Sequence, residues 1–262
     1  MNRRILSAAA GAAMLFAYAG AFAAEGAAIP RHSWSWQGIF GTFERPALQR
    51  GLQVYKDVCA GCHGLRHVAY RNLAELGYSE DQVKAFAAEY EVPAEPDEEG
   101  EVKMRPAKPS DKFVSPFPNE QAARAANSGT FPPDLSLIVD ARGKGLDFLQ
   151  GAGGADYLYA ILIGYGEAPE GVKLGEGMSY HKYFPGHQIA MPPPLADDAV
   201  EYGDGTKATV DQMARDVTAF LVWATEPNLE ARKAMGLKVL LFLLVLTGML
   251  IAVKKKVWAD VH

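Results

Sequence analysis

Cysteine is scarce in this chain, with two in 262 residues, so there is no disulfide framework and no spare thiol to act as a nucleophile once both are committed to one site. Base is also short: 26 lysines and arginines face 31 acids, a balance that disfavours nucleic acid and favours a basic partner. No internal repeat is apparent. No βαβ pattern surrounds the cysteines, and no second pair of metal ligands follows at short spacing, which argues against a thioredoxin-like redox pair and against a zinc site.

Both cysteines lie in Cys59-Ala60-Gly61-Cys62-His63. On a helical turn, positions i and i+3 share a face, so the two sulfurs can form thioethers with the two vinyl groups of one haem while the next residue turns its imidazole to the iron. The motif predicts one covalent haem c with His63 as proximal ligand. The chemistry then belongs to the cofactor, and the protein supplies ligands, orientation and burial.

The two ends are apolar. Residues 1–24 carry Arg3 and Arg4, an alanine-rich apolar stretch and Ala21-Phe22-Ala23, the pattern of a cleaved export signal. Removing them takes away two bases and no acid, leaving a mature chain at −7. Residues 235–253 are apolar except Lys238 and are closed by Lys254, Lys255 and Lys256. This suits a single spanning helix with the exported domain, 25–234, outside and the tail, 254–262, inside. Lys238 can snorkel to the headgroups.

The intervening ~210 residues suffice for one domain with a real core. It is expected to be mostly helical, with irregular insertions at residues 89–109, 143–154 and 164–177, where acid, proline or glycine is frequent. One helix should start near Pro46 and carry Leu48, Leu52, Tyr55 and Val58 inward before running into the haem motif. Another should start at Thr209, whose spacing to Gln212 is that of a capping box, and carry Val210, Met213, Val217, Phe220, Leu221 and Ala224 inward. Gly51 lies in the first stripe and suggests a close crossing of helices, with Phe220 or Trp223 filling the gap.

A sixth iron ligand separates electron carriers from oxygen or peroxide chemistry. Met213 belongs to a core stripe and Met104 to a charged loop. Met191 is followed by Pro192, Pro193 and Pro194, whose fixed φ holds a loop in one shape, which makes it the first choice. Met178 is the second choice and His181 or His187 the third.

Trp36-Gln37-Gly38-Ile39-Phe40-Gly41, Gln53-Val54-Tyr55, the haem motif, residues 122–127 leading to Pro132-Pro133-Asp134-Leu135-Ser136, Ala141-Arg142-Gly143, Asp156-Tyr157, Met191 to Leu195 and Trp223 onward occur in this order. In this the chain resembles the cytochrome c1 family, and its bacterial forms most. The resemblance implies a class I cytochrome c-like haem domain with long loop insertions and one C-terminal transmembrane helix, in the bacterial inner membrane with the haem domain in the periplasm. It further implies that Met191 is the axial methionine, that the backbone of Pro133 orients His63, and that Asn127, Arg142 and Tyr157 hold the haem propionates. The partners it implies are cytochrome b, a Rieske iron-sulfur protein that delivers one electron, and a basic soluble or membrane-tethered cytochrome c that removes it, alongside lipid and without nucleic acid. Residues 89–101, with seven acids and no base, are a candidate docking surface for that cationic carrier.

Overall fold

The computed structural model describes residues 28–143 and 153–260; residues 1–24, expected to be an export signal, and residues 144–152, predicted as part of a glycine-rich loop, lie outside the described residues. Helix α1 spans Arg45–Val54 with a proline in its first turn. It passes into a π-helical turn, Tyr55–Cys59, which ends at the haem motif. A 3-10 helix, Tyr70–Leu76, and α2, Glu80–Ala88, follow. Strands β1, Glu91–Pro93, and β2, Met104–Pro106, pair antiparallel. The chain continues through α3, Glu120–Ala126, α4, Ile138–Arg142, and α5, Gly153–Ile163. A second short ribbon joins β3, Ser179–Tyr180, to β4, Gln188–Ile189. Helices α6, Val210–Thr225, and α7, Leu229–Val257, complete the chain.

The predicted crossing is present. A Cβ added at Gly51 would lie 2.1 Å from the Asp216 carbonyl oxygen and 2.6 Å from Phe220 Cβ, so α1 and α6 meet backbone to backbone. Phe220 occupies the position beside the glycine; Trp223 lies further along, its indole N–H donating to Glu75 Oε2 at 3.2 Å. Leu48, Leu52, Tyr55, Met213, Val217, Phe220 and Leu221 are buried, which is the pair of stripes that the periodicity indicated. At the edge of the crossing, Asp216, 1 % exposed, accepts a bidentate pair from Arg50 at 2.8 and 3.0 Å. A fork-to-fork contact of this kind supplies the partner a buried carboxylate requires.

Three expectations are corrected. Residues 89–109 are not merely a loop: β1 and β2 form a hairpin whose turn is tied by Asp97 Oδ1, which accepts from the Glu99 and Glu101 amides at 3.1 and 2.9 Å. Gly153 and Gly154 are helical, and a Cβ at Gly154 would meet the Val139 carbonyl oxygen at 1.9 Å, so α4 and α5 also cross closely. Thr209 Oγ1 caps α6 by accepting from the Gln212 amide at 3.2 Å, but the Gln212 side chain donates to Asp216 at 3.0 Å and leaves the capping box half made. The helix that carries the apolar stretch 235–253 runs past it at both ends: α7 has 29 residues and spans about 43 Å, taking in the residues before the apolar stretch and all three lysines after it.

Candidate haem site

The motif closes a helix. The Cys59 carbonyl accepts from Cys62 N at 3.1 Å and from His63 N at 2.9 Å, so the two cysteines and the histidine turn about one acceptor. One turn earlier the Tyr55 carbonyl accepts from Ala60 N at 2.8 Å, the i+5 bond of a π-turn, a local irregularity often found at functional sites. Tyr55, buried, donates its hydroxyl to the His63 carbonyl at 3.0 Å and ties the end of the motif back to its start.

Cys59 is half-buried and Cys62 exposed, and neither is in a disulfide. Burial, with Cys62 adding to it, pushes the Cys59 thiol up to about 12. Among the described residues no group of three or more His, Cys, Asp and Glu side chains could hold a metal ion.

His63 is oriented from the opposite strand of chain. Its Nδ1 donates to the Pro133 carbonyl at 2.7 Å, which fixes the proton on Nδ1 and leaves the lone pair on Nε2. Burial lowers its proton affinity, against the opposing pull of the Pro133 carbonyl and Asp134. The imidazole is thereby suited to donate a lone pair rather than to carry charge. The segment that supplies Pro133 is held along its length: Leu135 N donates to the Gly64 carbonyl at 2.8 Å, Arg66 N to Asp134 Oδ2 at 3.0 Å and His67 N to Ser136 Oγ at 3.1 Å. Thr225 Oγ1 at the end of α6 donates to the Ser136 carbonyl at 3.1 Å. Asp134 and Ser136 appear in the sequence only as part of a matching stretch, and the structure gives them their positioning role. The one local signal that could have found them is the pair of adjacent prolines just before them.

Met191 is half-buried, and its carbonyl accepts from the Tyr165 hydroxyl at 3.0 Å. Leu195, after the three prolines, is buried and roots the loop in the core. Met178, the second choice, is half-buried and follows a turn in which its amide donates to Gly175 O at 3.1 Å. Met213 is fully buried on α6 and Met104 is mostly exposed, as expected of both. His181 is engaged elsewhere. It is fully buried, its Nε2 donates to the Ile161 carbonyl at 2.9 Å, and its Nδ1 accepts from the Phe184 and Tyr183 amides at 3.0 and 3.2 Å. With both ring nitrogens in use it has no lone pair for iron. His187 stacks on Tyr180 and approaches the His181 carbonyl through Nδ1 at 3.3 Å.

Arg142 is exposed at the end of α4 and Tyr157 half-buried on α5. The fold brings them together: burial raises the Tyr157 phenol, and the Arg142 guanidinium lowers it in opposition. Asn127 closes α3, its amide nitrogen donating to the Ala123 carbonyl at 2.7 Å, so one of its donors already has a structural use.

Comparison with known proteins decides the family. Residues 34–261 match the Cytochrome C1 family. The chain belongs to it. A cytochrome c1 of Rhodospirillum rubrum is 49 % identical over 95 % of both chains. A cytochrome b/c1 of Bradyrhizobium diazoefficiens is 52 % identical over 97 % of this chain, which spans 39 % of that longer protein. The mitochondrial cytochrome c1 haem protein of Saccharomyces cerevisiae is 49 % identical over 91 % of this chain and 75 % of its own length. Cytochrome c1 proteins carry one covalently bound haem c. The donor set here fits that group: two unpaired cysteines and an imidazole with its lone pair on Nε2, gathered on one turn. The mostly helical domain and one long apolar C-terminal helix agree with the family.

Proposed function

We propose that this chain is the haem-bearing electron relay of a membrane-bound quinol-oxidising complex, taking one electron from a Rieske iron-sulfur protein and passing it to a c-type cytochrome. The observation that carries the reading is the bond from His63 Nδ1 to the Pro133 carbonyl next to the two cysteines, in a chain of this family. Haem c, when bound, supplies a one-electron couple. Cys59 and Cys62 would hold it covalently, and His63 and Met191 would hold the iron from its two sides. Were the protein to supply both iron ligands in this way, substrate would be kept from the metal and little would need to rearrange. Methionine as one ligand raises the potential, as befits an acceptor downstream of quinol. Arg142 and Tyr157, with Asn127, would receive the propionates; a guanidinium is suited to bidentate carboxylate contact.

The apolar length of α7 and its three terminal lysines support a single pass through the bacterial inner membrane with the haem domain on the periplasmic side. Cytochrome b is the expected neighbour in the membrane. The acidic hairpin supports a basic cytochrome c as acceptor, with Glu95, Glu98 and Glu99 as the charges to test, because Asp97 is paired with Lys103 at 2.9 Å and shapes the turn. Copurification through a tag on the C-terminal tail should bring down a cytochrome b and an iron-sulfur protein. Recovery of the haem protein alone from gently solubilised membranes would favour a free-standing anchored cytochrome instead.

A further inference from the structure

The two most exposed large apolar side chains among the described residues lie outside α7: Phe40 at 77 % and Ile39 at 72 %. They form the tip of residues 36–41, a segment without charge. Such a tip in water is unfavourable and its shape is not incidental. Gly38 takes φ +71°, and a Cβ at Gly41 would meet the Gln37 carbonyl oxygen at 2.0 Å, so two glycines fold the turn tightly. The base is pinned by Thr42 N donating to the Ser35 carbonyl at 3.1 Å and by the stacked, buried rings of Trp34 and Trp36 at 4.9 Å.

Contacts with the start of α7 give the segment a direction. Arg45 and the Phe43 amide both bond Glu230, while Lys233 Nζ donates to the carbonyls of Trp36 and Gly41. Going back along the chain from Arg45 to Gly41 therefore advances three residues along α7, about 4.5 Å toward its apolar stretch. Phe40 and Ile39 lie beyond Gly41, and the apolar stretch of α7 begins at Met235, two residues after Lys233. Lys233 places its ammonium on two backbone carbonyls of the segment and so ties it to α7 just before the apolar stretch.

We propose that residues 36–41 are a membrane-contacting wedge, with Ile39 and Phe40 seated among the lipid headgroups and upper acyl chains beside the outer end of α7. The proposal rests on the reading of α7 as a membrane span. The wedge and the helix together would fix how the haem domain stands on the bilayer, since a single helix alone leaves it free to swing.

The test places a nitrobenzoxadiazole label on Phe40→Cys, and separately on Ile39→Cys, in the haem-loaded full chain, where thioethers occupy the native cysteines. The protein, with the subunits it binds, is reconstituted into phosphatidylcholine and phosphatidylglycerol vesicles bearing a nitroxide high on the acyl chain. A roughly two-fold loss of fluorescence to this lipid quencher, at the ~5–10 Å depth of an interfacial segment, is expected at both positions, and none at a label on Glu99→Cys. Quenching by aqueous iodide instead would overturn the wedge, and so would protection from both quenchers, which would mean that a protein subunit covers the tip. A membrane-impermeant maleimide separates the premise from the inference. Asp260→Cys and Glu99→Cys should react from opposite sides; reaction from the same side would overturn the span, and the wedge with it.

Discussion

Around Gly51 the helices α1 and α6 touch backbone to backbone, with apolar side chains on both flanks and one paired carboxylate at the edge. Residues 164–195 contain almost no regular structure, yet they too are held in one shape. A buried imidazole bonds three backbone groups there, a tyrosine hydroxyl holds the Met191 carbonyl, and two consecutive residues, Gly186 and His187, take positive φ. The first region depends on complementary packing and the second on a few polar contacts with no substitutes. Damage in the first should therefore spread through the domain, and damage in the second should stay local and register at the iron.

The largest effect is expected from Gly51→Leu. Its side chain would enter the space of the Asp216 carbonyl and Phe220, and the loss of stability should be about 3 kcal/mol, the upper end of ordinary overpacking. Chemical denaturation of the haem-loaded chain checks this; a midpoint like that of the unaltered protein would mean that the helices can part without cost. His181→Ala should cost about 2 kcal/mol, because it leaves the Ile161 carbonyl and two amides without their partner. Hydrogen exchange should quicken in 164–195 and not in 45–59. Uniform quickening would erase the contrast between the regions.

Acid should do the same more mildly. Burial lowers the proton affinity of His181 below that of an exposed histidine, so the unfolded loop binds more protons than the folded one below about pH 6.5. The stabilisation is complete above that pH and is lost as pH falls through the folded value, since a proton on Nδ1 displaces the Tyr183 and Phe184 amides. Protection of the 181–187 amides, taken relative to their intrinsic exchange rate at each pH, should fall between pH 7 and 5, and the fall should be absent in a His181→Asn variant. Smallest is Tyr165→Phe, which removes one neutral hydrogen bond to the Met191 carbonyl and should cost about 1 kcal/mol, read as a small increase in carbon monoxide access to the reduced iron.

The same contrast decides what the sequence made legible. Leu48, Leu52, Met213, Val217 and Phe220 recur at helical spacing, and spacing is a local property that a linear reading recovers. The haem motif is equally local, five residues on one turn. Asp134 and Ser136 accept from the Arg66 and His67 amides and His181 donates to the Ile161 carbonyl, all far away in the chain, and no periodicity marks a side chain chosen for a distant backbone group. Gly154 shows the limit most simply. It stands in a glycine-rich stretch that reads as loop, and only the opposing Val139 carbonyl explains why a helix needs a glycine there. The β1–β2 hairpin was hidden by acids and prolines that are poor strand formers, and it is fixed by the Asp97 turn instead.

The central proposal is that His63 and Met191 would both be ligands of a single haem iron. Redox titration of the haem-loaded chain, unaltered and with Met191→Leu or Met178→Leu, tests it most directly. The account predicts one one-electron transition in the unaltered protein. Met191→Leu should keep the haem covalently bound, lower its potential and let the reduced iron bind carbon monoxide, while Met178→Leu should leave all three unchanged. An unaltered potential in Met191→Leu, or the shift appearing in Met178→Leu instead, would contradict it.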